Sequence, residues 1–263
     1  MQNSAGSTIA ILTVGDIVGR PGRDVLKDRL QGIIDTRRAD LVIANGENSA
    51  GGKSITPDIL RELLSIGVDV VTTGNHVWDN KEVLKILDSE PALLRPANYP
   101  DGVKGHGWHI VDRKGIRICV INLQGRLFME PIDCPFRKFD ALYDELKDRA
   151  DIFMVDFHAE ATSEKRAFGW HVDGRASAVF GTHTHVQTAD EEILPGGTGY
   201  ITDIGMTGSF NSVIGITKEY SVQRFLTFTR VKFEVAEGNR KINAALFEID
   251  RGGKTGRIER IIT

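Results

Sequence analysis

The sequence predicts an α/β fold in which two packed sheets carry helices on their outer faces. Three observations lead there. Apolar runs of strand length alternate with amphipathic helical stretches through the first third of the chain, as parallel strands joined by crossovers require. Those runs end in polar residues preceded by a glycine, at Gly15-Asp16, Gly46-Glu47 and Gly74-Asn75. The second half is richer in strand, which implies that part of the β structure is antiparallel.

Taken in order, residues 8–14 are an apolar strand running into Gly15-Asp16. A loop with Gly19, Pro21 and Gly22 follows. Leu26, Leu30, Ile33 and Ile34 then recur at helical spacing up to Arg38. Residues 41–44 are the next strand and end in Asn45-Gly46-Glu47-Asn48. After a Gly/Ser loop, Thr56-Pro57 starts a helix with proline in its first turn, and Ile59, Leu63 and Ile66 line its apolar face. Residues 68–71 form a third strand ending in Thr73-Gly74-Asn75-His76, and residues 80–87 read as a short helix. Residues 91–107 are irregular. Residues 108–112 and 117–122 make a hairpin around Arg113-Lys114-Gly115. A helix over 139–146 precedes a buried strand, 152–157, that ends at His158-Ala159-Glu160. A helix over 163–171 leads to the strand 176–180, which ends at Gly181-Thr182-His183-Thr184-His185-Val186. Residues 199–204, 226–235, 242–249 and 257–262 read as mostly β, with turns at Glu237-Gly238-Asn239 and Arg251-Gly252-Gly253. With no repeat, low-complexity tract or linker, one domain over 1–263 is expected.

A chain of 263 residues can bury a sizeable core. Its 41% hydrophobic and 26% charged content is that of a globular protein. The formal net charge of −3 argues against a general electrostatic grip on RNA or on an anionic membrane, leaving only a local basic patch. Cys119 lies in an apolar strand and Cys134 in a proline-flanked loop. Neither forms a CxxC pair, so no zinc ribbon and no disulfide are expected. Residues 1–7 are polar, the apolar run after them is too short for a signal peptide, and no stretch reaches transmembrane length. A cytoplasmic protein that self-associates as a homo-oligomer is the default expectation.

Ligands of parallel sheets gather beyond the carboxyl ends of the strands. His183 and His185, two residues apart on an extended segment, can aim both imidazoles at one place. Two hydrogen-bonded loop histidines would look the same. The other strand ends, with Asp16, Glu47, Asn75-His76 and His158, tip the reading towards metal. Asp16, Glu47, Asn48, Asn75, His158, His183 and His185 are too many ligands for one tetrahedral ion. They suit two ions sharing a bridging carboxylate. Their nitrogen and oxygen mixture favours iron, manganese or zinc over calcium. Such a centre activates a bridging water as hydroxide and clamps the oxygens of a phosphoryl group. His76 beside it could protonate a leaving alkoxide; the alternative makes it a further ligand or a hydrogen-bond partner. Arg126, Arg175 and Lys165 are candidates for a substrate phosphate, with scaffold ion pairs the favoured reading of each. Glu160 and Asp203 could orient ligating histidines. His106, His109 and His171 read as structural or surface residues; Trp78 and Trp170 could flank a base by stacking, with core packing the favoured reading.

Gly15-Asp16, Gly74-Asn75-His76 and Gly181-Thr182-His183-Thr184-His185 resemble, in order along nearly the whole chain, the motifs of the calcineurin-like metallophosphoesterases. Within that superfamily the chain most resembles the bacterial YmdB-like group. The closer match lies in Val14-Gly15-Asp16-Ile17-Val18-Gly19, Asn45-Gly46-Glu47-Asn48, Gly74-Asn75-His76-Val77-Trp78-Asp79, Ile121-Asn122-Leu123-Gln124-Gly125-Arg126 and residues 156–165. The resemblance implies a four-layer α/β/β/α sandwich of two mixed sheets and hydrolysis of cyclic nucleotides, 2′,3′-cyclic AMP in particular, using two irons. It also implies roles. Asp16, Glu47, Asn48 and His185 would hold one metal; Glu47 as bridge, Asn75, His158 and His183 the other; His76 would be the general acid. Two departures from the superfamily pattern stand out. Asp16 is followed by Ile17-Val18 instead of leading an Asp-x-His motif, and Glu47 replaces the usual bridging aspartate. Competing functions are a phosphomonoesterase or nuclease on the same centre, and a regulatory protein that binds RNA or a partner.

Overall fold

The computed structural model describes residues 8–263; the reading of residues 1–7 as a polar segment without a signal peptide lies outside the described residues. The elements are β1 (Ile9–Val14), β2 (Asp16–Ile17), α1 (Gly19–Arg37), β3 (Leu41–Asn45), α2 (Pro57–Ser65) and β4 (Val70–Thr72). Two 3₁₀ turns follow, Asn75–Asp79 and Lys81–Lys85. Then come β5 (Trp108–Arg113), β6 (Ile116–Gln124), α3 (Pro135–Leu146), β7 (Ile152–His158), α4 (Thr162–Val172), β8 (Ala178–Thr182), β9 (Glu192–Ile193), β10 (Gly199–Ile201) and β11 (Met206–Ser209). The chain closes with α5 (Lys218–Thr227), β12 (Arg240–Lys241), β13 (Asn243–Ile249) and β14 (Thr255–Ile262).

One sheet runs β14-β13-β1-β3-β4, the second β5-β6-β7-β8-β10-β9, and a small third β12-β11-β2. In the first, β1, β3 and β4 are parallel and β13 and β14 antiparallel. In the second, β6, β7, β8 and β10 are parallel between antiparallel edges.

Side-chain alternation gives the layers. On β1, Leu12 and Val14 pack with Leu26, Leu30 and Leu63 of α1 and α2. Ile9 and Ile11 turn the other way and meet Ile118, Met154 and Phe180 of the second sheet. On the far side, Cys119, Val155 and Val179 pack with Phe139 of α3 and Phe168 of α4. The order helix, sheet, sheet, helix is therefore the four-layer sandwich. Burial on both faces explains why these strands read as unbroken apolar runs.

The contact between the sheets changes character at the strand ends. On the face that carries Ile43, Val70, Val120, Met154 and Phe180, the next residues of the same parity are Asn45, Thr72, Asn122, Asp156, Thr182 and then His158, all buried. The apolar seam thus ends in a polar plug at the carboxyl edge of both sheets.

Two expectations fail. The loop with Gly19, Pro21 and Gly22 is the first turn of α1. Pro21 loses nothing there because first-turn amides have no intrahelical acceptor, and a Cβ on Gly22 would strike the Thr207 carbonyl. Residues 226–235 are not a strand: α5 ends at Thr227 and the remainder is irregular, with one isolated bridge, Ile216 to Val235. Their alternating aromatic and β-branched pattern suits a strand, but propensity of that kind needs a neighbouring edge, and these residues are mostly exposed. Strand β11 lies where the sequence reads only a loop.

Candidate metal centre

Asp156 anchors the site. Its Oδ1 accepts from Thr182 Oγ1 at 2.6 Å, and its Oδ2 from Asn45 Nδ2 at 3.1 Å and from Thr72 Oγ1. Those donors come from both sheets, so one carboxyl fixes their register at the plug. Burial pushes Asp156 up to about 6 despite these bonds. Thr182, having given its proton to Asp156, accepts from His158 Nδ1 at 2.9 Å. That arrangement sets the imidazole so that Nε2 presents its lone pair inwards.

His158 Nε2 then faces Glu47 Oε1 at 3.0 Å, Asn75 Oδ1 at 3.1 Å and His183 Nδ1 at 3.0 Å. Glu47, His158 and His183 form a group whose ligand atoms all lie within 4.8 Å of one another. Four electron-pair donors converge there, and a bound cation resolves their mutual repulsion. His183 is oriented by Glu160 Oε2, 3.1 Å from its Nε2. Burial raises the Glu47 carboxyl, but the charge and hydrogen bond of His158 together with the charges of His76 and His183 outweigh it and hold the group at about 2. Burial likewise lowers His158, but the charge and hydrogen bond of Glu47 with the charges of Asp16 and Asp156 bring it up to about 9. Burial and then the His158 charge drop His183 to about 3. The pocket thus concentrates negative potential on one point, where a proton and a metal ion compete.

Beside this group lies another. His185 Nδ1 donates to the Ile214 carbonyl at 2.9 Å, which turns Nε2 towards Asn48 Oδ1 at 3.3 Å and Asp16 Oδ1 at 3.8 Å. Asp16 is fully buried and its Oδ1 has no hydrogen-bond partner. Burial raises that carboxyl to about 6. Asp16 Oδ2 accepts from the His183 amide at 3.2 Å, so the two groups adjoin.

His76 sits across the opening, its amide donating to Glu47 Oε2 at 3.2 Å. Its Nδ1 meets Asp79 Oδ2 at 2.9 Å, which leaves Nε2 for the cavity that His76 lines. That cavity measures about 260 Å³ and is walled by Glu47, Asn48, His183, His185, Ile214 and Phe233, among others. Gly74 is required by the packing: a Cβ there would overlap the His158 ring and Glu47 Oε2.

All seven residues read as ligands, and His76, therefore converge at the strand ends. The secondary candidates divide. Lys165 is not a phosphate contact. It is buried, donating to Asp203 Oδ2 and the Thr182 carbonyl at 2.7 Å each. Asp203 in turn accepts from the Thr184 amide and hydroxyl at 3.1 and 2.7 Å. That clamp braces a loop in which His183 and His185 hold φ of 95° and 64°, values rare outside glycine. Arg175 pairs with Asp140 at 2.6 Å, against Phe139 and Tyr143. Arg126 is exposed. His106 and His171 are held by the Asp88 carbonyl and Asp140; His109 is half-buried on β5. Trp78 packs on Tyr99, but Trp170 is half exposed under Arg166 and is not core. Both cysteines are free, and burial pushes the Cys119 thiol up to about 12. Asp156 was missed as a site residue. Its place two before His158 in a buried strand, hence on the same face, was the available signal.

Known proteins resemble the chain along nearly its whole length. The chain is 49% identical over 253 residues to the 2′,3′-cyclic-nucleotide 2′-phosphodiesterase of Bacillus subtilis (strain 168), across 96% of each protein. The crystal structure of a hypothetical protein from Thermus thermophilus superposes with a TM-score of 0.92 at 44% identity, over 97% of this chain and 99% of that one. A Mycoplasma pneumoniae structure described as a novel phosphatase gives 0.93 at 36%, over 98% and 94%. With the profile of the YmdB-like proteins matching residues 12–261, the chain belongs to that family, within the calcineurin-like metallophosphoesterases.

Proposed function

We propose that this metal-dependent phosphoesterase hydrolyses small cyclic nucleotides of the 2′,3′-cyclic AMP kind, with two metal ions between the sheets and His76 as proton donor. The observation that carries it is the pair of adjoining donor sets under one cavity. Glu47, Asn75, His158 and His183 would hold one ion, and Asp16, Asn48 and His185 the other, with Glu47 between. The unpartnered, fully buried Asp16 Oδ1 speaks for the second ion. The nitrogen and oxygen donors suit iron, manganese or zinc, and the family resemblance puts iron first among them. Bound there, the metals would supply an activated water and positive charge for the phosphoryl oxygens.

The chain's own residues do the rest. Glu160 orients the His183 ring, the Ile214 carbonyl fixes His185, and Thr182 fixes His158. Asp79 holds His76 so that the free nitrogen can pass a proton to the departing ribose oxygen, a poor leaving group without it. The Bacillus subtilis relative, similar along nearly its whole length, favours a cyclic nucleotide as substrate. The whole chain acts as one domain in this reading, and no helix among the described residues is long and apolar enough to cross a membrane.

A substrate panel on protein with measured metal content tests this. 2′,3′-Cyclic AMP, a nucleoside monophosphate and a short RNA are compared, each with and without prior chelation. Preferred hydrolysis of the cyclic nucleotide, abolished by chelation, is expected. Preference for the monophosphate or the RNA would move the assignment to a phosphomonoesterase or nuclease, and chelation without effect would remove the metal.

A further inference from the structure

Beyond the catalytic cavity lies a second, apolar one that no step above uses. It measures about 470 Å³, within the range of about 300–1,000 Å³ usual for small-molecule sites. Its walls include Phe225, Phe228 and Phe233, and its floor Ile214 and Ile216. Ile214, Ile216 and Phe233 also line the metal-site cavity, so the two spaces share a wall. Phe233 rests on Gly52, where a Cβ would meet its ring at 2.6 Å, and the Lys53 ammonium lies 5.6 Å from that ring. Ile214 has a φ of 47°, a strained value for a β-branched residue, and its carbonyl is the acceptor that fixes His185.

The aromatic wall is costly for the free protein. No residue of α5 is buried. Phe225 is 72% exposed and Phe228 94%. Phe228 moreover takes the left-handed cap of α5, with a φ of 53°, where glycine is the usual choice. An aromatic residue that is both strained and in water, at the mouth of an active site, points to a ligand.

We propose that this groove is the base subsite: it receives the purine or pyrimidine of the cyclic nucleotide whose phosphate lies at the metal centre. The inference rests on the phosphodiesterase reading above. Phe225, Phe228 and Phe233 offer ring faces and edges to a flat aromatic base, a contact that tolerates any base because each has a π-face. The occupant is placed by continuity. Ile214, Ile216 and Phe233 line both spaces, so the groove adjoins the one over His183 and His185, and one ribose is the link the proposal requires between base and phosphate.

The test compares the wild type with a Phe225→Ala/Phe228→Ala double variant, whose side chains are too exposed to carry the fold. Each is assayed on 2′,3′-cyclic AMP and on glycerol 1,2-cyclic phosphate, which has no base. Adenosine binding is followed in parallel by calorimetry, and mass by light scattering. The expected result is a fall of roughly ten- to hundredfold in kcat/KM for the cyclic nucleotide, taken mainly through KM, as loss of base stacking implies. Glycerol cyclic phosphate should be unaffected, and adenosine should bind the wild type and lose affinity in the variant. Equal loss on both substrates, or no loss on either, would overturn the subsite. So would an oligomer that falls apart in the variant with cyclic-nucleotide kinetics intact, which would give the groove to a second copy of the chain. If neither cyclic substrate is hydrolysed, the phosphodiesterase reading fails, and adenosine binding still decides the groove: bound and weakened in the variant it stands, unbound it falls.

Discussion

Glu47 faces His158 with Oε1 and the His76 amide with Oε2, and the proposed assignment puts it between the two ions. As a bridge it should be indispensable to both ions. Glu47→Ala is expected to lose metal from both sites as well as activity, whereas Asp16→Ala should mainly empty one, and elemental analysis after reconstitution distinguishes them. His76 makes a separate prediction. His76→Ala should keep the fold and most of the metal, while hydrolysis of a cyclic nucleotide falls roughly 10²–10⁴-fold. A nitrophenyl phosphodiester should suffer far less, because its leaving group is stable unprotonated. Metal loss with equal damage to both substrates would make His76 a ligand. At this scale the residues that converge at the strand ends were legible because a polar residue after an apolar run and a glycine has few structural uses. For Lys165 the favoured scaffold ion pair is what the structure shows, but its partner, Asp203, was not legible because the two lie 38 residues apart.

At the scale of elements, the loop after β8 illustrates how a site is held. Its two histidines hold positive backbone angles on either side of Thr184, which Asp203 grips while Lys165 pairs with Asp203. Lys165→Met leaves a buried carboxylate unpaired, which costs about 3–5 kcal/mol. Thermal unfolding should register a large drop in Tm. A residue that merely contacted a substrate phosphate would instead raise KM and leave Tm alone. The parallel strands were readable from sequence because both faces are buried and the apolar run is continuous. The segment over 226–235 was misread for the complementary reason: its composition is that of a strand, but no edge stands beside it to pair with. Strand β11 escaped notice because Met206 to Ser209 has no apolar alternation; it exists through its pairing with Asp16-Ile17 and Arg240-Lys241.

On the scale of the whole molecule, the centre is an interface between two sheets. Asp16, Glu47, Asn48 and Asn75 follow strands of the first; His158, His183 and His185 end or follow strands of the second. The Asp156 plug ties the two together underneath. Metal should therefore stabilise the fold itself. Raising the free ion to about 100 times its Kd adds about 2.7 kcal/mol, so Tm should climb with metal concentration and fall on chelation, as calorimetry would report. This layering was legible in outline from the alternation of elements, but the polar plug was not. It depends on which residues of separate strands share a face once two sheets meet.

Two ions acting together on one phosphodiester are tested most directly by one titration. Chelated protein is reconstituted stepwise with iron or manganese, and bound metal and the rate on 2′,3′-cyclic AMP are measured on the same samples. Activity that rises until two ions are bound per chain is the predicted result. Full activity reached with a single tightly bound ion, or activity without any, would contradict it.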